Sequence, residues 1–401
     1  MQTPAAGSAR GRQRLLLVGD GLSAFGNWID FLAILTLAAW QFQVTPTGMA
    51  AVSAAGLLPG MLAAPFIGRW CDRGHARLLL LGSIAARAAT TAALLVTGDM
   101  LVFVALVGLR SVFAAVAPPA IHVLAVRALA PEALPRFYAL LNVLNNTAKV
   151  LAPGIGTVAA SWLGEGAALV LSLVCSLGAL AFFAALGLPA SAAAASTSST
   201  QAAAQSGPAG ADDDRRHLRA LLWLAATCAF FVFLVNNLLP LVLQRAGIDK
   251  AWLGLLVSAS GLGNVLAGLW LARRAQQLQG HLSELQRPAW GQLAGFAAIG
   301  LLLWRTGAAT APLLAVVFFL VGTASARYAI ALNVFMVTHF AARIGAVSGR
   351  LQAWQQAMIF VAPMVGALVL QRWGAAALFG CAVGSAALSF GLLAMHLRRS
   401  G

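Results

Sequence analysis

The sequence predicts an all-α membrane protein: twelve transmembrane helices in two six-helix pseudo-repeat bundles. Three observations lead there. Of 401 residues, 60% are hydrophobic and 9% charged, with a mean hydropathy of +0.85. A soluble domain could not cover so much apolar surface, so the bilayer must be the solvent. Twelve apolar stretches are then long enough to cross it, at roughly 15–41, 47–68, 77–97, 100–127, 136–161, 166–188, 218–244, 251–272, 289–306, 311–336, 348–371 and 375–397. Finally, the chain echoes itself. The run from Leu141 to Gly156 returns 210 positions later as Leu351 to Gly366, placing Asn142, Asn145 and Asn146 on Gln352, Gln355 and Gln356, and Pro153 on Pro363. Val52-Ser53-Ala54-Ala55-Gly56-Leu57 recurs 205 positions on as Val257-Ser258-Ala259-Ser260-Gly261-Leu262. Two echoes at nearly one offset, about half the chain, mark two copies of one unit.

Charge placement gives the orientation. The net charge is +15, which could suggest a nucleic-acid partner. Its distribution speaks against one: of the 26 lysines and arginines, 18 fall on one side of the predicted membrane, four on the other and four inside. That asymmetry is the positive-inside signature of a membrane protein and predicts cytoplasmic termini. The first apolar segment is too long for a secretory signal and contains Asp20 and Asp30, so it reads as a spanning helix. Four scattered cysteines (Cys71, Cys175, Cys228, Cys381) show neither a disulfide framework nor metal-ligand spacing. The expected domains are an N-terminal bundle at 1–189, a cytoplasmic linker at 190–217 and a C-terminal bundle at 218–401. The linker is Ala/Ser/Thr-rich and ends in Asp212-Asp213-Asp214, which reads as a solvated charge run rather than a metal site.

Taken in order, helix 1 carries Asp20, Ser23, Asn27 and Asp30 within about 80° of one another, one polar stripe on an apolar helix. Asp20 is near enough to the cytoplasmic end to reach the interface. Asp30 is not, and a mid-membrane carboxylate is a functional candidate by default. Helix 2 has Gly56, Gly60, Ala64 and Gly68 at intervals of four, a row of small residues for close helix packing. A charged turn follows, Gly68-Arg69-Trp70-Cys71-Asp72-Arg73-Gly74-His75-Ala76-Arg77, in which Asp72 is expected to draw on its neighbouring arginines.

Helix 5 places Asn142, Asn145, Asn146 and Lys149 on one polar face, with Pro153 one turn on as a candidate hinge. Helix 11 repeats that face with Gln352, Gln355 and Gln356, and the hinge with Pro363, but without the charge. Such amides suit an interface that exchanges partners as it rocks, and equally serve as interhelical glue. By residue counting Asp30, Arg110 and Lys149 lie at similar depth, so one carboxylate would meet two cations; Arg327 in helix 10 adds another cation. His122 reads as a satisfied buried imidazole before a proton shuttle. The sequence has no Walker motif, no HExxH and no supported Ser/His/Asp order, so neither enzyme activity nor a cofactor or metal is expected.

The turn after helix 2 resembles the Gly-x-x-x-Asp-Arg-x-Gly-Arg-Arg signature of the major facilitator superfamily, with the second Gly one position early and Ala76 in a basic position. Ser23-Ala24-Phe25-Gly26-Asn27-Trp28 resembles the Ser-x-x-Gly-Asp-Trp of its bacterial drug and siderophore exporters, with Asn27 for Asp. Arg87, Arg110 and Lys149-Val150-Leu151-Ala152-Pro153-Gly154-Ile155-Gly156 also fit that branch, Ala152 replacing a Gly. The resemblance implies the major facilitator fold and proton-coupled export by alternating access. It also implies that Gly68, Asp72, Arg73 and Arg77 form a conformational latch. The expected partners are a small anionic or zwitterionic substrate, protons and the lipid of an inner membrane, with the protein acting as a monomer. Alternatives are uptake or flipping of lysophospholipids or organic anions and, from other classes, a membrane acyltransferase or a receptor.

Overall fold

A computed structural model describes residues 6–43, 46–163, 166–186, 208–236, 238–248, 250–304 and 310–399. Among the described residues it is 93% helix with no strands. The helices of the first half are α1 (Ala6–Thr36), α2 (Pro46–Ala55), α3 (Leu58–Trp70), α4 (Ala76–Val96), α5 (Met100–Ala114), α6 (Ala117–Ala128), α7 (Leu134–Leu163) and α8 (Ala167–Ala184). Those of the second are α9 (Pro208–Asn236), α10 (Leu239–Arg245), α11 (Lys250–Arg273), α12 (Leu282–Trp304), α13 (Thr310–Phe340) and α14 (Ile344–Arg399). α14 leaves helical geometry at Gly374, where φ is 81° and ψ −175°, a conformation only glycine adopts without strain. Among the described residues, seven segments are long and apolar enough to cross a membrane. Ala51–Val96 and Thr310–Gly391 each contain a helix break, so each holds more than one helix.

The repeat is visible in the backbone. A single 3-10 turn at Pro131–Ala133 leads into α7, and another at Ala341–Arg343 leads into α14. Both turns and both helix starts, Leu134 and Ile344, differ by the same 210 positions as the sequence echo. α9 begins at Pro208, inside the stretch read as a linker; residues 190–207 of that stretch lie outside the described residues.

By contact the chain forms two compact units, Met1–Gly207 with Met336–Ala353, and Pro208–Phe335 with Trp354–Gly401. In the first, α1 packs between α7 and α8. Ile29, Ala33, Ile34, Val52, Leu94, Phe103, Val107 and Leu169 form an apolar cluster at one end of it. Close approach depends on small residues: the Ser172 hydroxyl donates to the Gly26 carbonyl at 2.9 Å, and Gly60 N–H donates to Ser111 Oγ at 3.1 Å. A Cβ at Gly60 would collide with the Ser111 backbone. In the second unit α11 and α13 meet the same way, Gly263 against the backbone of Phe319 and Gly322 against that of Ser260. Without a hydrophobic drive between helices in lipid, this backbone-to-backbone packing supplies the cohesion.

Candidate functional site

The polar stripe of α1 is met rung by rung by different helices. At its lower end Asp20 Oδ2 accepts from Asn145 Nδ2 of α7 at 3.1 Å. Next, Ser23 Oγ accepts from Arg87 Nη1 of α4 at 3.1 Å. Asn27 Oδ1 accepts from Arg110 Nη2 of α5 at 3.1 Å. At the upper end Asp30 Oδ2 takes three bonds: Arg110 Nη2 at 2.6 Å, Arg110 Nε at 3.0 Å and Thr91 Oγ1 of α4 at 3.1 Å. Asp30 is wholly buried, and Arg87 and Arg110 are 3% and 7% exposed. In a low-dielectric interior a charge-assisted pair on one guanidinium edge is far stronger than its surface equivalent, and removing either member strands the other.

The structure brings together Asp30, Asn27 and Arg110 among the sequence candidates. Lys149 is not drawn to Asp30. Its ammonium lies 5.6 Å from the ring centre of Trp28, and its side chain is exposed. An ammonium over the face of an aromatic ring is electrostatically favourable. Asn145 bonds Asp20 and also the Leu141 carbonyl at 3.1 Å, while Asn146 bonds back to Asn142 O at 2.8 Å and Oδ1 at 3.1 Å. The α7 amides thus serve their own helix and α1. On α14, Gln352 has an unpartnered buried Oε1, while Gln355 and Gln356 are half-buried. Arg327 stacks over Trp270 at 5.1 Å, with Arg274 over the same ring at 4.9 Å. Pro153 lies within α7 and Pro363 within α14, both in continuous helix.

The turn after α3 holds a second cluster. Gly74 has a φ of 101°, which reverses the chain. The expectation that Asp72 would be served by nearby arginines is corrected. Its carboxylate accepts from the backbone N–H groups of Gly345 and Ala346, each at 2.7 Å, at the start of α14. A helix N-terminus offers unpaired N–H groups and a positive dipole end, which suits a carboxylate better than a mobile exposed cation does. Arg127 Nη2 donates instead to the Asp72 carbonyl at 3.0 Å. Arg69 lies over Phe66, Arg73 is exposed, and Arg77 Nη2 reaches the Ala184 carbonyl at 2.9 Å. Burial raises the Asp72 carboxyl above its ordinary range, opposed by those two N–H groups and by Arg127. Gly68 and Gly345 meet backbone to backbone, and Gly349 meets Ala64, so the small-residue row seats this first turn of α14.

Sequence reasoning left Asp20, Arg87, Thr91 and Trp28 out of the site. Asp20 was readable from the stripe, and Arg87 as a charge deep inside a span. His122 is buried, its Nδ1 3.0 Å from Tyr138 Oη, the satisfied imidazole expected.

The described residues thus form apolar helices long enough to cross a membrane, with charged groups enclosed among them. Residues 16–363 match the model of the Major Facilitator Superfamily, and the chain belongs to that family. The uncharacterized MFS-type transporter YfiS of Bacillus subtilis (strain 168) is 28% identical over 142 residues, 35% of this chain and 34% of that protein. The match thus spans about a third of that relative's length. Among solved structures, the human organic anion transporter MFSD10 (TETRAN) superposes with a TM-score of 0.75 at 17% identity, over 98% of this chain and 100% of that one. A bacterial homologue of the iron transporter ferroportin, in an outward-facing state, gives 0.72 at 14% identity, over 96% and 98%. At these identities the likeness is one of fold.

Proposed function

We propose that this transporter moves a small amphiphilic anion or zwitterion by alternating access, coupled to protons, and that it exports compounds of the drug or siderophore kind across an inner membrane. The observation that carries the coupling is the Asp30–Arg110 pair, sealed at 2.6 Å inside the helices. A zwitterion can engage both members of the pair, its anionic group on Arg110 and its cationic group on Asp30, so that substrate and a proton on Asp30 displace one another, as exchange requires. Lys149, exposed beside Trp28, offers a second contact with positive charge and an aromatic face. Twelve crossings, cytoplasmic termini, two bundles joined near 190–217 and action as a monomer complete the reading. Asp72, with Gly68, Arg73 and Arg77 around it, acts as the latch.

The same electrostatics favours a second reading. An anion that takes Arg110 leaves Asp30 unpaired and readier to bind a proton. Proton and anion then help each other bind, as in uptake of an organic anion. A thermal-shift screen of organic anions, cations and neutral amphiphiles tests the substrate class, since specific binding raises apparent stability by mass action. Stabilisation by anions that disappears in Arg110→Gln supports the proposal; transport of lipophilic cations with no response to anions overturns it. Flux in oriented vesicles gives the direction, and reporter fusions at Ser206 and Ser400 active only on the outer side would overturn the topology.

A further inference from the structure

The two carboxylates of the α1 stripe, Asp20 and Asp30, are ten residues apart, about 15 Å along the helix. Arg87 reaches the stripe between them, one turn above Asp20, through its Nη1 bond to Ser23. The charges acting on it come from two elements, Asp20 and Asp30 of α1 and Arg110 of α5. Arg110 has a function in the pair with Asp30. Arg87 has none: its Nε and Nη2, the edge that Arg110 turns on Asp30, have no hydrogen-bond partner among the described residues, and neither has Asp30 Oδ1. A guanidinium this deep is costly, and Ser23 needs no charge to satisfy it. Its position supplies the reason.

We infer that Arg87 is an electrostatic barrier that stops protons passing along the α1 stripe between Asp30 and Asp20. The stretch between the two acids is lined with polar groups, Ser23, Asn27 and the unpartnered atoms just named, and buried polar groups of this kind bind internal water. Water between two carboxylates is a path for protons. A fixed positive charge beside the path repels an excess proton, as arginines do in water-selective pores. Asp30 can then exchange its proton only when the protein changes conformation, which is what coupling requires. Arg87 is accordingly a positioning and insulating residue, in contact with neither substrate nor the transferred proton.

This inference rests on the proton-coupled reading, but its readout needs no substrate. Purified protein is placed in liposomes holding a pH-sensitive dye, and the decay of an imposed pH gradient is followed without any transported compound. Wild type and Arg87→Lys are expected to hold the gradient, and Arg87→Gln to lose it at least tenfold faster. Adding Asp20→Asn to Arg87→Gln is expected to restore tightness, because the path loses its lower station. A tight Arg87→Gln, or a leak that survives Asp20→Asn, overturns the barrier. Should Arg87→Gln not fold, Arg87→His serves: it is tight when the imidazole is charged, leaky when neutral, and a leak independent of pH refutes the idea. If wild-type vesicles move no anion with protons while these leak results hold, the transport reading fails and the barrier stands.

Discussion

The first helices of the two halves make an instructive contrast. α1 carries Asp20, Ser23, Asn27 and Asp30, and α4 and α5 bring Arg87 and Arg110 to meet them. α9 buries Leu221, Leu224, Ala225, Cys228, Phe231 and Leu234. Within that apolar stretch two contacts join neutral groups: Trp223 Nε1 donates to Ser389 Oγ at 2.7 Å, and Thr227 Oγ1 shares that hydroxyl at 2.6 Å. Among the described residues, the buried Asp and Arg side chains, Asp30, Arg87 and Arg110, all lie in the first unit. Buried ion pairs are weak stabilisers, because desolvation offsets most of their attraction. On the proposed transport reading, the α1 charges serve coupling rather than stability.

The largest effect is expected from breaking the charge pair one side at a time. Arg110→Gln alone strands the Asp30 carboxylate and should cost about 3–5 kcal/mol of stability. The double variant Asp30→Asn with Arg110→Gln should recover most of that while remaining unable to drive transport with protons. Unfolding midpoints in detergent, set beside proton-driven flux, check both halves of the statement. A double variant as unstable as the single would mean that the first unit needs its charges to fold.

A smaller loss is expected where α3 seats the start of α14. Gly68→Val places a branched side chain against the Gly345 backbone and should cost about 1–3 kcal/mol. With the contact part of the proposed latch, transport should fall further than the stability loss explains. Equal losses in both measurements would reduce the contact to packing.

Asp72→Asn is milder. One side-chain oxygen remains to accept from Gly345 or Ala346, but the charge opposite the helix N-terminus is gone, a loss of about 1 kcal/mol. The variant should insert normally and transport poorly, read as surface abundance against flux. Wild-type flux would make Asp72 an ordinary loop carboxylate.

Ser389→Ala, in the neutral counterpart, should change least. It removes the hydroxyl shared by Trp223 and Thr227, and bonds between membrane helices average about 0.6 kcal/mol. Proton dependence should be untouched. A shifted pH profile in this variant would break the contrast between the halves.

The sequence by itself determined the bilayer as solvent, the repeat and the α1 stripe. Each is a local quantity: mean hydropathy, self-similarity at 210 positions, and a period of 3.6 residues. Even the turns before α7 and α14 keep that offset, because the echo lies in the residues that form those helices. Asp30 was legible as a site for the same reason, since depth follows from counting residues along one helix. What only the tertiary structure decided is who meets whom. Asp20 pairs with a residue 125 positions away, and Asp72 with N–H groups 273 and 274 positions away, although arginines stand beside it in the chain. Lys149, which residue counting places at the depth of Asp30, turns to Trp28 instead. Depth is set along a helix, but the direction a side chain faces depends on how that helix is rotated against its neighbours. That rotation comes from the packing of small residues between helices, and no single segment encodes it.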